Sequence, residues 1–338
     1  MCRAHQIGIL IAGMFLHCAA ASPAQETTRV VPPSALIAVG DDDTSAPGVR
    51  RALIVCGLAG DTEHRKLFAE TVETLYAGLT TRLGFDAGEV TVLFSDEAAE
   101  KDGPAIKASR GLATRELLTE VAAGLEQTIK PNDTLWVFVL GHAHYDGRAS
   151  WLNLPGADVN QLEFGKLFSA VRCREQAFFI TTAASGFFLK PLSTPGRIIV
   201  AATEADLEVN ETMFPHKLAK ALAGPPPMAQ FDVDGDGLPT LLDAYLWAAR
   251  ETAQEYAGSE LLATEHAVLD DDGDGRGTEV QADYLPEELG GRLRPGRGNP
   301  QPRAGDGARA RGIKLPMPPD APAVEAPEVP AVEAPATD

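Results

Sequence analysis

The chain has 338 residues, of which 48 are acidic and 29 are basic, so its formal net charge is −19. This excess of carboxylates argues against general nucleic-acid binding and suits a protein that binds cations. The length allows one α/β domain with a smaller extension.

The first 24 residues have the pattern of a secretory signal peptide, and residues 25–50 are predicted to be a polar linker. One Arg precedes an apolar run, and Ala21 and Ala24 offer cleavage positions. An uncleaved anchor is the alternative, but the run is shorter than the ~20 residues that span a bilayer. Cys18 suggests a lipoprotein as a second alternative, but His17 before it is too large and polar for the usual lipid-attachment signal. The sequence therefore predicts a secreted or periplasmic protein without a membrane span.

Strand and helix patterns alternate from residue 51 onward. RALIVCGL is a continuous apolar run, which is typical of a strand buried on both faces. Asp61 precedes a helix whose apolar face includes Leu67 and Phe68. The segments EVTVLFSD, TLWVFVLG, QAFFITT and GRIIVAAT are further strands, and helices are predicted from Thr114, around VNQLEFGKLFSAV and from about Glu211 to Leu222. This order predicts an α/β fold, with a mostly parallel sheet covered by helices on both faces.

The composition changes after residue 222, which bounds a predicted α/β domain at residues 51–222. Residues 223–285 carry two Asp/Gly clusters around an amphipathic helix and are predicted to be a calcium-loop extension. Residues 286–338 are rich in Pro, Gly and Ala and hold few large apolar side chains. Because such a segment buries little apolar surface, we expect a disordered tail there.

Two loops of small residues follow predicted strands. The loop GHAHYDG, residues 141–147, comes after TLWVFVL, and TTAASG, residues 181–186, comes after QAFFI. In an open parallel sheet, ligands bind outside the carboxyl ends of the strands. If the two strands are neighbours, His142 and the second loop face each other at that edge.

These loops, with the order and spacing of the surrounding elements, resemble the caspase-like cysteine peptidases, and within them the legumain-like branch. In that family a Gly-His-Gly loop carries the catalytic His, and an acidic-x-Cys-x-Ser-Gly turn carries the nucleophile. The resemblance matches Gly141 and His142 to the first motif and Ser185 and Gly186 to the second. It implies that the catalytic His is His142 and that the position of the catalytic Cys is held by Ala183.

The chain departs from the family pattern at three positions. Ala183 has no nucleophilic atom, and because the thiolate is the attacking group, covalent catalysis is lost. Thr181 replaces the acidic residue, and Ala143 replaces the second Gly of the His loop, which in the family helps form the oxyanion hole. A hydroxyl nucleophile at Thr182 or Ser185 leaves an active hydrolase as the alternative. The resemblance thus predicts an inactive peptidase-like protein that binds a peptide or protein segment in the former substrate groove.

Other metal-binding and nucleophilic side chains give weaker signals. His144 forms a His-x-His pair that could bind metal with Asp146, but solvated loop residues are the favoured interpretation. Cys173 precedes the strand that Ala183 follows, so it is predicted to lie too far away to act as the nucleophile. Three histidines are isolated on predicted helices or their ends, which indicates surface positions or partial burial: His64, His216 and His266.

Residues 232–243 fit the twelve-residue calcium loop. Acids hold positions 1, 3, 5 and 12, and Gly holds position 6, where the chain turns sharply. The predicted ligands are Asp232, Asp234, Asp236, Leu238, Thr240 and Asp243. Three features depart from an EF-hand: Asp at position 12, Pro239 at position 8 and the absence of a predicted incoming helix in GPPPMAQF. The loop therefore resembles the single-helix calcium loops of dockerin-type repeats, and calcium is preferred over a plain Asp-Gly turn.

The segment DDDGDG repeats the beginning of this pattern, with Asp270, Asp272 and Asp274 as candidate calcium ligands. Its twelfth position is Gln281 and no clear helix follows. A calcium-binding loop and a plain Asp-Gly turn are therefore equally favoured interpretations of this segment. In a further alternative, the calcium-loop region is a calcium-dependent interaction module and the α/β domain is an inert scaffold.

Overall fold

A computed structural model of the protein describes residues 48–206, 208–296 and 305–317. The predicted signal peptide, nearly all of the predicted linker and the last part of the predicted tail lie outside these described residues. Within the described ranges, no helix combines the length and the apolar character that crossing a membrane requires.

The strands and helices follow the order that the sequence predicts. The strands are Arg50–Cys56 (β1), Val90–Phe94 (β2), Gly111–Leu112 (β3), Thr134–Leu140 (β4), Ala143–Tyr145 (β5), Ser150–Leu152 (β6), Val159–Asn160 (β7), Glu175–Ile180 (β8), Arg197–Ala201 (β9) and Val268–Asp270 (β10). The α-helices are Thr62–Ala77 (α1), Pro104–Lys107 (α2), Arg115–Thr128 (α3), Gln161–Leu167 (α4), Leu189–Leu192 (α5), Phe214–Ala223 (α6), Met228–Phe231 (α7), Leu241–Gly258 (α8) and Ala308–Arg311 (α9).

The central sheet of the described residues has seven strands in the order β10–β9–β8–β4–β1–β2–β3. All neighbours pair in parallel except the edge strand β10, which runs antiparallel to β9. Strands β4 and β8 are neighbours, with Val139 opposite Ile180. The prediction of an α/β fold with a mostly parallel sheet is therefore confirmed.

Side chains of β1 alternate between two hydrophobic cores. Ile54 and Cys56 belong to the core under α1, α6 and α8, whereas Leu53 and Val55 belong to the core under α3, α4 and α5. Because both faces of the strand are buried, its sequence is apolar throughout rather than alternating.

Two local expectations differ from the structure. The sequence predicts a loop directly after β4, but β5, β6 and β7 form a small antiparallel sheet there. Its first hairpin is closed by Asp146, whose Oδ1 accepts hydrogen bonds from the N–H groups of Arg148 and Ala149, both at 2.8 Å. On α1, Phe68 is 2% exposed as expected, whereas Leu67 is 38% exposed and lies at the edge of the apolar face.

The predicted calcium-loop extension shares its core with the α/β part. Leu242 and Tyr245 of α8 belong to the core that α1 and α6 cover, and β10 extends the central sheet. The composition change near residue 222 therefore does not separate two hydrophobic cores. The segment GPPPMAQF, in which the sequence predicts no helix, forms one helical turn at Met228–Phe231, which begins after the prolines and buries Phe231.

The folded part reaches beyond residue 285, into the stretch that composition assigns to a disordered tail. Ala310 and Leu315 are buried in the core of the extension. The carboxylate of Asp271 accepts hydrogen bonds from the N–H groups of Gly307, Arg309 and Ala310, at 3.0, 2.8 and 2.8 Å. A buried carboxylate thus anchors α9, a polar contribution that reasoning from apolar content leaves out.

Candidate functional site

The two small-residue loops lie side by side at the carboxyl ends of β4 and β8. The N–H and Oγ1 of Thr181 both donate to the carbonyl of Val139, at 2.9 and 2.8 Å. The rings of Tyr145 and Phe187 stack with their centroids 4.5 Å apart and their planes 5° from parallel. The structure thus brings the loop of His142 and the turn of Ala183 to one sheet edge, as the sequence predicts.

The ring of His142 is held by backbone groups. Gly141 has φ of +116°, and a Cβ at that position would lie 2.8 Å from the backbone N of Gly57, so only Gly fits there. The Nε2–H of His142 donates to the carbonyl of Ala59 at 2.8 Å. This hydrogen bond selects the tautomer that keeps the lone pair on Nδ1. Ala143, the next residue, pairs with Leu152 in the small sheet.

The turn after β8 is buried and tightly bent. Ala183 is 5% exposed, and Ala184 has φ of +50°, a left-handed conformation that is uncommon for a residue with a Cβ. The N–H of Ala184 donates to the carbonyl of Glu208 at 2.9 Å. The segment between β9 and α6 therefore lies against the turn that holds Ala183 and Ala184.

The two predicted alternative nucleophiles, Thr182 and Ser185, form hydrogen bonds that hold the turn together. Ser185 is fully buried, and its Oγ accepts from the N–H of Thr203 at 3.1 Å while its own N–H donates to Thr203 Oγ1 at 2.8 Å. The hydroxyl of Thr182 is buried and donates to the carbonyl of Ala183 at 3.1 Å. Cys173 precedes β8, at the opposite end of that strand, and burial raises the pKa of its thiol to about 11. Its thiol form therefore prevails at neutral pH.

Gly186 marks a close approach of two backbones. A Cβ at this position would lie 2.4 Å from the N of Ala205 and from the carbonyl carbon of Glu204. The Oγ1 of Thr212 also donates to the carbonyl of Thr181 at 2.6 Å. The Ser-Gly frame of the turn thus fixes the segment that follows β9.

The first acidic loop curls as a calcium loop requires. The N–H of Gly237 donates to Asp232 Oδ2 at 3.0 Å, and the N–H of Asp236 donates to Asp234 Oδ1 at 3.1 Å. Asp232, Asp234 and Asp243 each offer a carboxylate oxygen, and these oxygens lie within 4.8 Å of one another. Thr240 is the N-cap of α8 and donates its hydroxyl to Asp243 Oδ2 at 2.7 Å. Burial raises the pKa of Asp243 to about 6.

Asp232 Oδ1 in this loop is buried and has no hydrogen-bond partner among the described residues. A buried acceptor without a donor costs free energy. Calcium binds to carboxylate oxygens of this kind, so the residues present fit the ion. Asp236 does not join the close group, and Leu238 offers only its backbone carbonyl.

The second acidic loop repeats the same backbone geometry. The N–H of Gly275 donates to Asp270 Oδ2 at 3.0 Å, and the N–H of Asp274 donates to Asp272 Oδ1 at 3.0 Å. The carboxylates of Asp270, Asp272 and Asp274 come within 4.8 Å of one another. Gln281, at position 12, turns away from the loop and donates to the carbonyl of Ala267 at 2.8 Å. The residue at position 12 of this loop is therefore not available as a ligand.

Solved structures similar to this chain include a secreted C11 cysteine protease from Bacteroides thetaiotaomicron, in complex with an irreversible peptide inhibitor. The two chains are 12% identical, the match covers 68% of this chain and 67% of the protease, and the TM-score is 0.37. No protein-family model and no curated protein matches the sequence. At this identity and TM-score the likeness carries no further conclusion about the chain, and the legumain-like branch and the dockerin-like loops stay predictions.

His64, which the sequence predicts to be isolated, lies close to His142 and Glu211. Its ring centroid lies 5.2 Å from that of His142, and its Nε2 lies 2.5 Å from Glu211 Oε2. Hydrogen bonding to Asp61 is the main cause that raises the pKa of His64. Helix α6 begins at Phe214 rather than near Glu211, so Glu211 lies in the preceding loop and reaches α1. No local pattern in the sequence indicates this long-range contact.

His144 and Asp146 have structural roles. His144 Nδ1 lies 2.7 Å from Asn153 Oδ1, and Asp146 closes its hairpin and accepts from Trp151 Nε1 at 2.9 Å. In the described ranges, neither residue belongs to a group of side chains that could hold a metal ion.

Proposed function

We propose that this protein is an exported, catalytically inactive peptidase-like protein that calcium stabilises and that binds a peptide or protein segment. The observation that supports the proposal is Ala183, which follows β8 beside the strand that precedes His142 and which the resemblance matches to the family's nucleophile. A methyl group cannot attack a carbonyl carbon, so this turn supports no acyl-enzyme chemistry.

The hydroxyl groups near Ala183 are not placed to act as nucleophiles in place of a cysteine thiol. Ser185 exchanges hydrogen bonds with Thr203, and Thr182 donates to a backbone carbonyl, and both side chains are buried. A nucleophile must instead lie within hydrogen-bond reach of its base and be open to the substrate. These contacts favour an inactive protein over a hydrolase that uses either hydroxyl.

Calcium fits both acidic loops and suits the buried carboxylates of the first. Asp234 and Asp243 are buried, and burial raises the pKa of both. A bound cation would offset this cost, and Asp232 Oδ1 would gain a partner. Because Leu242 and Tyr245 belong to the core next to the sheet, calcium bound here would stabilise the whole protein rather than a separate interaction module.

A surface beside the turn could take the binding role. A groove there is lined by Leu162, Phe187, Lys190 and Ala205, and Leu162 is 65% exposed. Exposed apolar side chains next to a charged one are the composition that binding sites for peptide segments use. We assign the binding of a peptide or protein segment to this edge of the sheet.

Labelling with electrophilic probes tests the inactivity. We expect no labelling of the wild type by a broad acylating probe, and labelling of Ala183→Cys by a peptide with an electrophilic warhead if the pocket is intact. Cys173→Ala in both backgrounds is the matched control. Labelling of the wild type that maps to Thr182 or Ser185 by mass spectrometry, and that His142→Ala abolishes, would contradict the proposal.

A further inference from the structure

Three side chains from separate segments converge beside the turn of Ala183. His64 lies on α1, His142 follows β4, and Glu211 precedes α6. Each offers one ligand atom, and these atoms lie within 4.8 Å of one another. The acidic loops described above contribute none of them.

His64 is oriented toward the cluster by a second carboxylate. Its Nδ1 lies 2.6 Å from Oδ2 of Asp61, the N-cap residue of α1. The Nε2 is thereby directed at Glu211 Oε2, 2.5 Å away. Histidines that bind metal ions commonly donate their other ring N–H to a carboxylate, which fixes the ring and its tautomer.

The ring of His142 is fixed in the same way by a backbone group. Its Nε2–H donates to the carbonyl of Ala59, which leaves an imidazole lone pair on the other nitrogen. Phe68 packs edge-on against this ring, with centroids 5.6 Å apart, and also contacts the ring of His64 at 6.3 Å. Both imidazoles are therefore preorganised without a bound ion.

Glu211 has an unused oxygen. Its Oε1 is buried and has no hydrogen-bond partner among the described residues, while Oε2 pairs with His64. A buried carboxylate oxygen without a donor is unfavourable. A metal ion bound between the three side chains would satisfy it.

We propose that His64, His142 and Glu211 bind a divalent transition-metal ion of the zinc type, through one imidazole nitrogen from each histidine and a carboxylate oxygen. Two nitrogens and one oxygen form a donor set that Zn²⁺ accepts and Ca²⁺ avoids, since Ca²⁺ takes oxygen ligands. An ion bound at His64 Nε2 takes the place of the hydrogen on that nitrogen, which leaves to solvent as a proton. The site is independent of the proposed inactivity, which concerns the nucleophile position alone.

Zinc titration of the purified protein tests the site. The protein is stripped with a chelator, saturated with Ca²⁺ to fill the acidic loops, and titrated with Zn²⁺ against a chromophoric competitor. We expect one equivalent to bind, with an affinity at least tenfold weaker in His142→Ala and in Glu211→Gln. His144→Ala, at an exposed histidine of the same loop, is the matched control and keeps wild-type affinity.

A second measurement separates loss of a ligand from loss of folding. In the presence of chelator, the melting temperatures show whether each variant is folded, and Asp61→Asn should weaken zinc binding while leaving the three ligands in place. The proposal is overturned if the wild type binds Zn²⁺ no more tightly than folded His142→Ala. It is equally overturned if His144→Ala loses the binding.

Discussion

At the scale of single residues, the turn after β8 is shaped by a glycine that admits no side chain. The backbone of Ala205 approaches Gly186 so closely that a Cβ would lie 2.4 Å from its N. Gly124 on α3 is the opposite case, because a Cβ there meets no atom within 4 Å. The two glycines therefore respond to the same substitution with opposite signs.

We predict that Gly186→Ala lowers the free energy of unfolding by about 2 kcal/mol, because the segment after β9 must shift. Gly124→Ala should raise it by about 0.5–1 kcal/mol, since Ala has the higher helix propensity. Chemical denaturation of both variants measures this difference. Equal effects of the two substitutions would contradict the close approach at Gly186.

A second residue-scale feature is the buried carboxylate of Glu265. It is 5% exposed, and its oxygens accept hydrogen bonds from the N–H groups of Met213 and Phe214, at 2.8 and 3.3 Å. Burial is the largest cause that raises its pKa to about 7, and Glu208 adds to the shift. The folded state therefore binds a proton here between about pH 4.5 and 7 that the unfolded state has lost.

Because the folded state holds the extra proton, the contribution of Glu265 to stability falls as pH rises through that window. We predict that the free energy of unfolding of the wild type relative to Glu265→Gln decreases by about 3 kcal/mol between pH 4.5 and pH 7. Denaturation curves at several pH values measure this, with the exposed Glu126→Gln as control. A difference that stays constant across the window would rule out the raised pKa.

At the scale of elements, the two acidic loops have the same pattern of internal hydrogen bonds. They differ in the residue at position 12. The first is closed by Asp243 on α8, whereas Gln281 of the second faces the core. Two carboxylates of the second loop, Asp272 and Asp274, are exposed. We therefore expect the first loop to bind calcium more tightly.

Calcium should raise the melting temperature of the protein relative to a chelated sample. At a concentration 100 times the dissociation constant, the stabilisation is about 2.7 kcal/mol. We expect Asp232→Asn to remove most of it and Asp272→Asn, at position 3 of the second loop, to remove little. Melting curves that coincide with and without calcium would exclude the ion as a stabiliser.

At the scale of the whole molecule, the last described segment, residues 305–317, contacts the first acidic loop. Arg311 Nε donates to Asp234 Oδ2 at 2.7 Å, and Asp234 has no exposed side-chain surface. The same guanidinium lies 3.5 Å from Asp236. Arg311 thus places a positive charge beside two of the predicted calcium ligands.

Removing that charge leaves Asp234 buried without its partner, so Arg311→Gln should lower the stability of the chelated protein by about 3 kcal/mol. Calcium should reduce this loss, because the ion supplies the missing charge. The exposed neighbour Arg309→Gln is the control, and denaturation with and without calcium is the measurement. If both variants behave alike in chelator, the ion pair does not contribute to stability.

The sequence predicts the parts of this molecule that depend on local patterns. Strands β1, β4, β8 and β9 are continuous apolar runs, so their burial on both faces could be read directly, and the spacing of acids revealed the first acidic loop. The cluster of His64 and Glu211 with His142 could not be predicted, because it joins residues far apart in the chain. The order of the stretch around Arg311 could not be predicted for another reason. Hydrogen bonds and an ion pair hold this stretch in place, and apolar composition does not indicate them.

The proposed inactivity of this protein rests on Ala183, which has no nucleophilic atom. The most direct measurement is turnover of a library of fluorogenic peptides by the wild type, with calcium present and with zinc either added or chelated. We predict hydrolysis at the rate of buffer alone in every condition. Turnover above that rate which disappears in His142→Ala would contradict the claim.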